Sequence, residues 1–331
     1  MVSATDKPSQ VPLVLLSGGG GGARLAAALS KCTAQRPVIV VTNTGDDFEH
    51  LGLLICPDTD SVLYATSGKL DRARGWGREG ESWQVLDAIQ AMAGPSWFQL
   101  GDKDLALHLL RAEQLRKGAD LAAVTQVLSE RLGVPEGMTV IPATEHPIRT
   151  RVVTEEGELA FQEYFVGRRC EPALRDVVYD GIEDARPSPS LLAALDDACV
   201  DGPIDVVLGP SNPFLSLGPI LDIPGMLSEL RSRARRVVAV SPIISGRALK
   251  GPAAKIMSEL GLPASAPGWT QWLEQRYPGF VDTWVWDDAD RGLVATVPHS
   301  FDVRVTATVM SEPGAGEGLA QWLLEVCGVA P

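Results

Sequence analysis

Short apolar runs recur along the chain, and each ends in a turn rich in glycine, proline or small polar residues. Val11–Leu16 leads into Ser17 and the glycines Gly18–Gly22, and Pro37–Thr42 leads into Asn43-Thr-Gly-Asp-Asp47. Ile204–Leu208 leads into Gly209-Pro-Ser-Asn-Pro213, and Arg236–Val240 into Ser241-Pro-Ile-Ile-Ser-Gly246. Continuous apolar runs of this length, separated by segments of helix formers such as Ala23–Ser30, predict buried parallel strands with helices on both faces. The expected fold is therefore α/β, a Rossmann-like parallel sheet whose strand ends feed one ligand crevice.

The middle of the chain has another texture. Helical periodicity fills Trp83–Met92 and Leu105–Lys117, and Ile148–Arg169 alternates about Thr154-Glu-Glu-Gly157, a hairpin signal. This divides the chain into a nucleotide-binding core, 11–60 with 201–330, and a helical and small β insert, 61–200, laid over the ligand edge.

Composition narrows the classes. The chain has 331 residues, 45% of them hydrophobic and 21% charged, enough for a large core and too apolar for a disordered chain. A net charge of −13 disfavours a protein that coats nucleic acid or anionic membrane, so an anionic ligand needs a local positive site or a metal. Scattered cysteines without a Cys-x-x-Cys pair, and a polar leader over Met1–Val11 with no long apolar region, lead to the expectation of a cytoplasmic protein with no membrane span.

Glycines between a strand and a helix allow close backbone approach, and the helix N-terminus suits phosphate. The run lacks the Gly-Lys-Ser/Thr of a Walker loop and the ribose-binding acid of a dinucleotide fold, so it also fits a tight turn without a ligand. Arg24, in the first helical turn, fits a phosphate partner or a solvated surface residue. Asp46, Asp47, Asp58 and Asp60 cluster in one short stretch, and hard oxygen ligands beside a phosphate site suit Mg²⁺; Asp60 before Ser61-Val-Leu-Tyr64 equally suits a helix cap. Asp102 and Asp104 open a helix, where acids complement the dipole whatever the function, and His108 follows Asp104 by one turn. Trp76, Trp83 and Trp97 suit either a stacked aromatic ligand or simple packing.

In order, Ser17-Gly-Gly…Gly-Gly-Ala-Arg-Leu25, Asn43-Thr-Gly-Asp-Asp47, Pro57-Asp-Thr-Asp-Ser61, Arg74-Gly-Trp-Gly77, Leu100-Gly-Asp-Lys-Asp104, Gly209-Pro-Ser-Asn-Pro213 and Ser241-Pro-Ile-Ile244 resemble the 2-phospho-L-lactate transferase family of coenzyme F-420 biosynthesis. That resemblance spans about Pro12 to Gly328. It implies a Mg²⁺-dependent, usually homodimeric enzyme that joins a phosphorylated three-carbon acid (phospholactate, phosphoenolpyruvate or 3-phosphoglycerate) from a GDP-activated donor to the deazaflavin Fo, releasing GMP. By the same resemblance Gly18, Gly19, Gly20, Gly22, Arg24, Ser211 and Asn212 hold the donor nucleotide. Asp46 and Asp60 hold the metal or the incoming hydroxyl as the catalytic pair, and Asp60, Trp76, Gln99, Asp102 and Lys103 border Fo. Arg24 stands where many members carry lysine, and Gln99 where some carry a basic residue. Arg24, Lys103 and Lys250, with the metal, would set the local field. Two other readings remain: a non-catalytic nucleotide-sugar-binding regulator of the same fold, and, more distantly, an NAD-dependent oxidoreductase, which the missing dinucleotide fingerprint opposes.

Overall fold

All four apolar runs form strands in the computed structural model, which describes residues 11–249 and 251–328; the leader Met1–Gln10 and Lys250 lie outside them. The chain opens with β1 (Leu13–Ser17), α1 (Gly19–Leu29) and β2 (Val38–Thr42), followed by a hairpin of β3 (Phe48–His50) and β4 (Leu53–Ile55). Helices α2 (Pro57–Thr66), α3 (Gln84–Ala91), α4 (Asp102–Arg116) and α5 (Leu121–Leu132) precede β5 (Met138–Pro142). Next come β6 (Arg149–Thr154), β7 (Gly157–Ala160), β8 (Leu174–Asp180), α6 (Pro189–Ala198) and β9 (Ile204–Leu208). The remainder runs through α7 (Gly218–Leu221), α8 (Met226–Arg233) and β10 (Ala234–Val240), then the short pair β11 (Ile243–Ile244) and β12 (Arg247–Ala248). It finishes with α9 (Ala253–Glu259), α10 (Ala266–Arg276), β13 (Thr283–Asp287), β14 (Asp302–Thr306) and α11 (Ala315–Gly328).

Seven strands make one sheet in the order β14-β13-β10-β9-β1-β2-β5, and every neighbouring pair is parallel. Side chains alternate between its faces. Leu13, Leu15, Val38 and Val40 join Leu25 and Leu29 of α1, Val62 of α2, Leu128 of α5 and Leu323 of α11 in one buried cluster. Val14, Leu16, Ile39 and Val41 join the opposite cluster, with Leu195 of α6, Leu230 of α8, Met257 of α9 and Trp269 of α10. The expected α/β architecture, a parallel sheet covered by helices, is thus the observed one.

The span 61–200 is not all laid over the sheet. Met138–Pro142 pairs with β2 from Val38↔Met138 to Thr42↔Pro142, so this span supplies the outermost strand of the central sheet. The remaining β residues form a separate antiparallel sheet, β7-β6-β8, turning at Thr154–Gly157 as the alternation predicts. Val152, Phe161 and Tyr164 seal it to the face shared with α6 and α9. Beside the crevice a main-chain bond adds to this packing, in which Thr150 N–H donates to the Gly45 carbonyl at 2.7 Å.

At the edge remote from the crevice, Asp205 at the start of β9 is fully buried between two arginines. Arg36 donates to it at 2.8 Å and also to the carbonyl of Val11 at 2.7 Å, while Arg235 adds two more bonds at 3.1 and 2.5 Å. Removing one partner of a buried ion pair strands the others without compensation. An Asp205→Ala chain is expected to lose about 3 kcal/mol in urea unfolding, with its ligand affinities retained at low temperature. A loss near zero would mean that water solvates both arginines in the folded state.

Candidate active site

Strand order reverses direction at β1, where β2 and β5 lie on one side and β9, β10, β13 and β14 on the other. Ligands of open α/β sheets bind outside the C-terminal strand ends at such a switch point. The turns after β1 and β9 meet there. Ser211 Oγ accepts the Gly18 N–H at 3.2 Å and donates to the Gly18 carbonyl at 2.8 Å. Asn212 Oδ1 accepts N–H groups of Phe214 and Leu215 at 2.9 and 3.1 Å, which leaves its buried Nδ2 donor without a partner among the described residues.

The glycine run is tighter than a loop. Helix α1 already begins at Gly19 rather than Ala23, so Gly19–Gly22 form its first turn, and Gly19 needs the left-handed φ of 62°. A side chain at Gly18 would come within 2.7 Å of Asp58 Oδ2, one at Gly22 within 2.7 Å of Ser211 Oγ, and one at Gly21 would overlap the Pro210 carbonyl. These glycines let the protein's own 210–216 turn and Asp58 close on the helix. The first helical N–H, of Gly19, is taken by Asp58 Oδ1 at 2.7 Å. The carboxylate thus occupies part of the positive helix end that the sequence offered to phosphate.

Asn43, at the exit of β2, completes this knot. Its Nδ2 donates to Asp58 Oδ2 at 2.9 Å and to the Leu215 carbonyl at 3.0 Å, while its Oδ1 accepts the Gly45 N–H at 2.8 Å. The two aspartates beyond it are buried with fewer partners. Asp46 Oδ1 and Asp47 Oδ1 accept no hydrogen bond from the described residues. Burial, then the nearby Asp58 charge, holds the Asp46 carboxyl well above its ordinary range. Burial also raises Asp47 to about 8, partly offset by the Cys56 thiol and the charges of Arg111 and Arg149. Asp58 is pushed to about 6 by burial, against its bonds from Asn43 and Gly19.

Asp60 sits apart in character. Arg111, fully buried on α4, donates to both of its oxygens and also bonds His108 Nδ1 at 3.1 Å. His108 Nε2 then faces Asp104 at 3.4 Å, and Asp104 accepts from the Tyr64 hydroxyl. Asp104, His108 and Arg111 lie one turn apart along a single helical face, a polar stripe on a buried side that sequence reading took only as far as His108. Arg111 was legible there as the missing countercharge.

A cavity of about 530 Å³ opens directly beyond Asp46 and Asp47. Phe48 and Trp97 line one side, and Arg149, Thr150, Phe161 and Gln162 of the β6–β7 region the other. Trp97 reaches it from an aromatic cluster in which Phe48 and Phe98 meet edge to face at 4.8 Å. The other expected acceptor residues lie elsewhere around the crevice. Trp76 and Trp83 hold the Arg74 guanidinium, with ring centroids at 5.2 and 5.0 Å. Asp102 accepts Ser82 Oγ and the N–H groups of Gln84 and Val85, so it caps α3. Lys103 Nζ bonds the Glu79 carbonyl at 3.1 Å, Gln99 is exposed, and Arg24 makes no ion pair among the described residues.

Donor chemistry of this kind suits a hard cation. Two buried carboxylate oxygens without partners, on residues that repel one another's charge, are what bound Mg²⁺ would compensate. Among the described residues no group of three or more His, Cys, Asp or Glu is arranged to hold a metal alone, as is usual for Mg²⁺, which takes its remaining ligands from water and phosphate.

The profile of the family described as 2-phospho-L-lactate transferase CofD matches residues 13–310 of this chain. The chain belongs to the CofD family. A phosphoenolpyruvate transferase of Streptomyces griseus is 34% identical over 321 residues, covering 95% of this chain and 98% of the relative. A 2-phospho-L-lactate transferase of Methanosarcina mazei is 35% identical over 279 residues, covering 84% and 88%. The solved structure of a UPF0052 family member from Bacillus halodurans superposes with a TM-score of 0.62 at 16% identity, over 96% of this chain and 99% of that one, a likeness of fold. No helix among the described residues is long and apolar enough to cross a membrane.

The buried aspartates give this CofD-family protein a testable pH signature. Folded Asp47 takes up its proton at about pH 8, whereas an unfolded carboxylate does so at about pH 4. Between those values the folded state holds more protons, so stability falls as pH rises. Asp58 and Asp46 act with the same sign. The metal-free protein should therefore lose thermal stability from pH 5 to pH 8, and millimolar Mg²⁺ should flatten that slope. A metal-free midpoint independent of pH would show that these carboxylates are solvated.

Proposed function

We propose that this protein transfers a phosphorylated three-carbon acid from a GDP-activated donor to a hydroxyl of the deazaflavin Fo, releasing GMP, in coenzyme F-420 biosynthesis. The observation that carries the proposal is the cavity floored by Asp46 and Asp47 and walled by Phe48, Trp97 and Phe161, which opens beside the strand exits that Asn43 and Asp58 tie together at the switch point. Its apolar walls suit a flat aromatic acceptor, and its buried carboxylates suit a metal-bound diphosphate.

In this reading the Fo hydroxyl attacks the phosphorus that bears the acid; that O–P bond forms as the bond to the bridging oxygen of the diphosphate breaks and GMP departs. Such a step needs alignment and charge stabilisation more than covalent machinery. Asp46 and Asp47 would hold Mg²⁺, which supplies positive charge across the diphosphate when bound. Asn212 Nδ2, lacking a protein acceptor among the described residues, is available to a donor oxygen. Asn43 and Asp58 keep the turns after β1 and β2 in register. Asp60, named with Asp46 from the sequence, is neutralised by Arg111, which supports a positioning or hydroxyl-accepting role for it more than metal binding. Apolar walls on either side of Fo limit the water that could compete as acceptor. A homodimer fits the exposed Leu51, Met92, Leu109 and Leu110, side chains with apolar surface to cover.

The test is a turnover assay with GDP-activated phospholactate, phosphoenolpyruvate and 3-phosphoglycerate, Fo and Mg²⁺, read by mass spectrometry of the deazaflavin product. Asp46→Asn should lower kcat by at least about 100-fold, the scale of losing one electrostatic contact to developing charge, with the fold intact. Tight GDP or nucleotide-sugar binding without product from any donor would favour the regulator.

A further inference from the structure

Three arginines line the cavity from the β6–β7 side, Arg149, Arg151 and Arg168. Two are already engaged. Arg151 pairs with Glu158 at 3.2 Å and Asp180 at 3.7 Å, and Arg168 pairs with Glu156 at 2.5 Å. Arg149 forms no ion pair among the described residues. Its one hydrogen bond is from Nη1 to the Ile148 carbonyl at 2.8 Å, so most of its guanidinium donors have no protein acceptor. The side chain is half-buried, and its remaining donors are open to a ligand in the cavity.

Strand alternation sets its direction: Thr150 and Val152 turn to the buried face of β6, so Arg149 and Arg151 share the face that opens on the cavity. The Thr150 N–H bond to the Gly45 carbonyl at 2.7 Å places Arg149 and Asp46 on either side of a single main-chain contact. A cation with free donors thus stands where the proposed donor's acid would emerge from the diphosphate site.

We propose that Arg149 recognises the carboxylate of the transferred three-carbon acid. This rests on the transferase reading. Guanidinium and carboxylate match as planar, bidentate partners, and the three acids considered share that carboxylate while differing at the neighbouring carbons. Arg149 is therefore a specificity residue for acid over neutral donors, and it does not choose among the acids.

The experiment compares a GDP-activated phospholactate donor with its carboxamide analogue by calorimetric binding and by turnover, in the wild type, Arg149→Gln and Arg149→Lys. Wild type should prefer the acid by about 10- to 100-fold, the range for a charge-assisted pair, and Arg149→Gln should lose that preference while binding GDP as before. Arg149→Lys should recover part of it, which a merely structural role would not predict. Equal weakening of donor and GDP, or weakened Fo with an unchanged donor, would overturn the assignment and leave the transferase reading standing. Absence of product from every donor in the wild type would defeat the transferase reading, while the binding comparison would still decide whether Arg149 reads a carboxylate.

Discussion

Asp58 is the constraint on which the crevice depends. It is one carboxylate with two obligations: one oxygen accepts the first N–H of α1, and the other accepts the amide of Asn43 at the exit of β2. Asn43 in turn holds the Leu215 carbonyl of the turn after β9. Three strand exits are thereby tied through a single buried acid, and the glycines of α1 exist in that packing because any Cβ at Gly18 or Gly22 would intrude on it. A run that looks like an open ligand loop is, in structural terms, a seam.

Charge is distributed unevenly around that seam, and the unevenness separates roles. Asp60 is matched by Arg111, and Asp205 at the far edge of the sheet is matched by two arginines. Asp46 and Asp47 are matched by neither a salt bridge nor a full set of hydrogen bonds. Folding tolerates buried acids when they are compensated, and sites of chemistry are where compensation is left to a ligand. The same contrast distinguishes Arg149 from Arg151 and Arg168.

The parallel sheet and its crevice were legible because apolar runs followed by polar turns record buried strands and their C-terminal ends. Four of the seven strands announced themselves in this way. β5 did not, since Met138–Pro142 follows a long helical stretch and reads as part of it until its pairing with β2 is seen. The aspartate cluster was legible as a group, but spacing in sequence could not say which acid meets Arg111, because that partner lies 51 residues further on. Asp102 shows the converse. Its place at a helix start read as an acid complementing that helix's own dipole, and it also caps the preceding helix, α3, through Ser82, Gln84 and Val85. Trp97 and Arg149 reach the cavity through tertiary packing that no local pattern encodes.

The bond between Thr150 and Gly45 joins the small antiparallel sheet to the loop leaving β2, beside the cavity. Everything on the central side of that joint is interlocked, so a changed side chain there disturbs strand exits, helix and turn together. On the β6 side Thr150 and Val152 are packed inward, whereas the alternate positions Arg149 and Arg151 answer mainly to their own hairpin and to whatever fills the cavity. The joint therefore divides the site into a conservative half and a permissive half. Within one scaffold, the cavity-facing positions of β6 and β7 can change while the strand exits tied by Asp58 and Asn43 stay untouched.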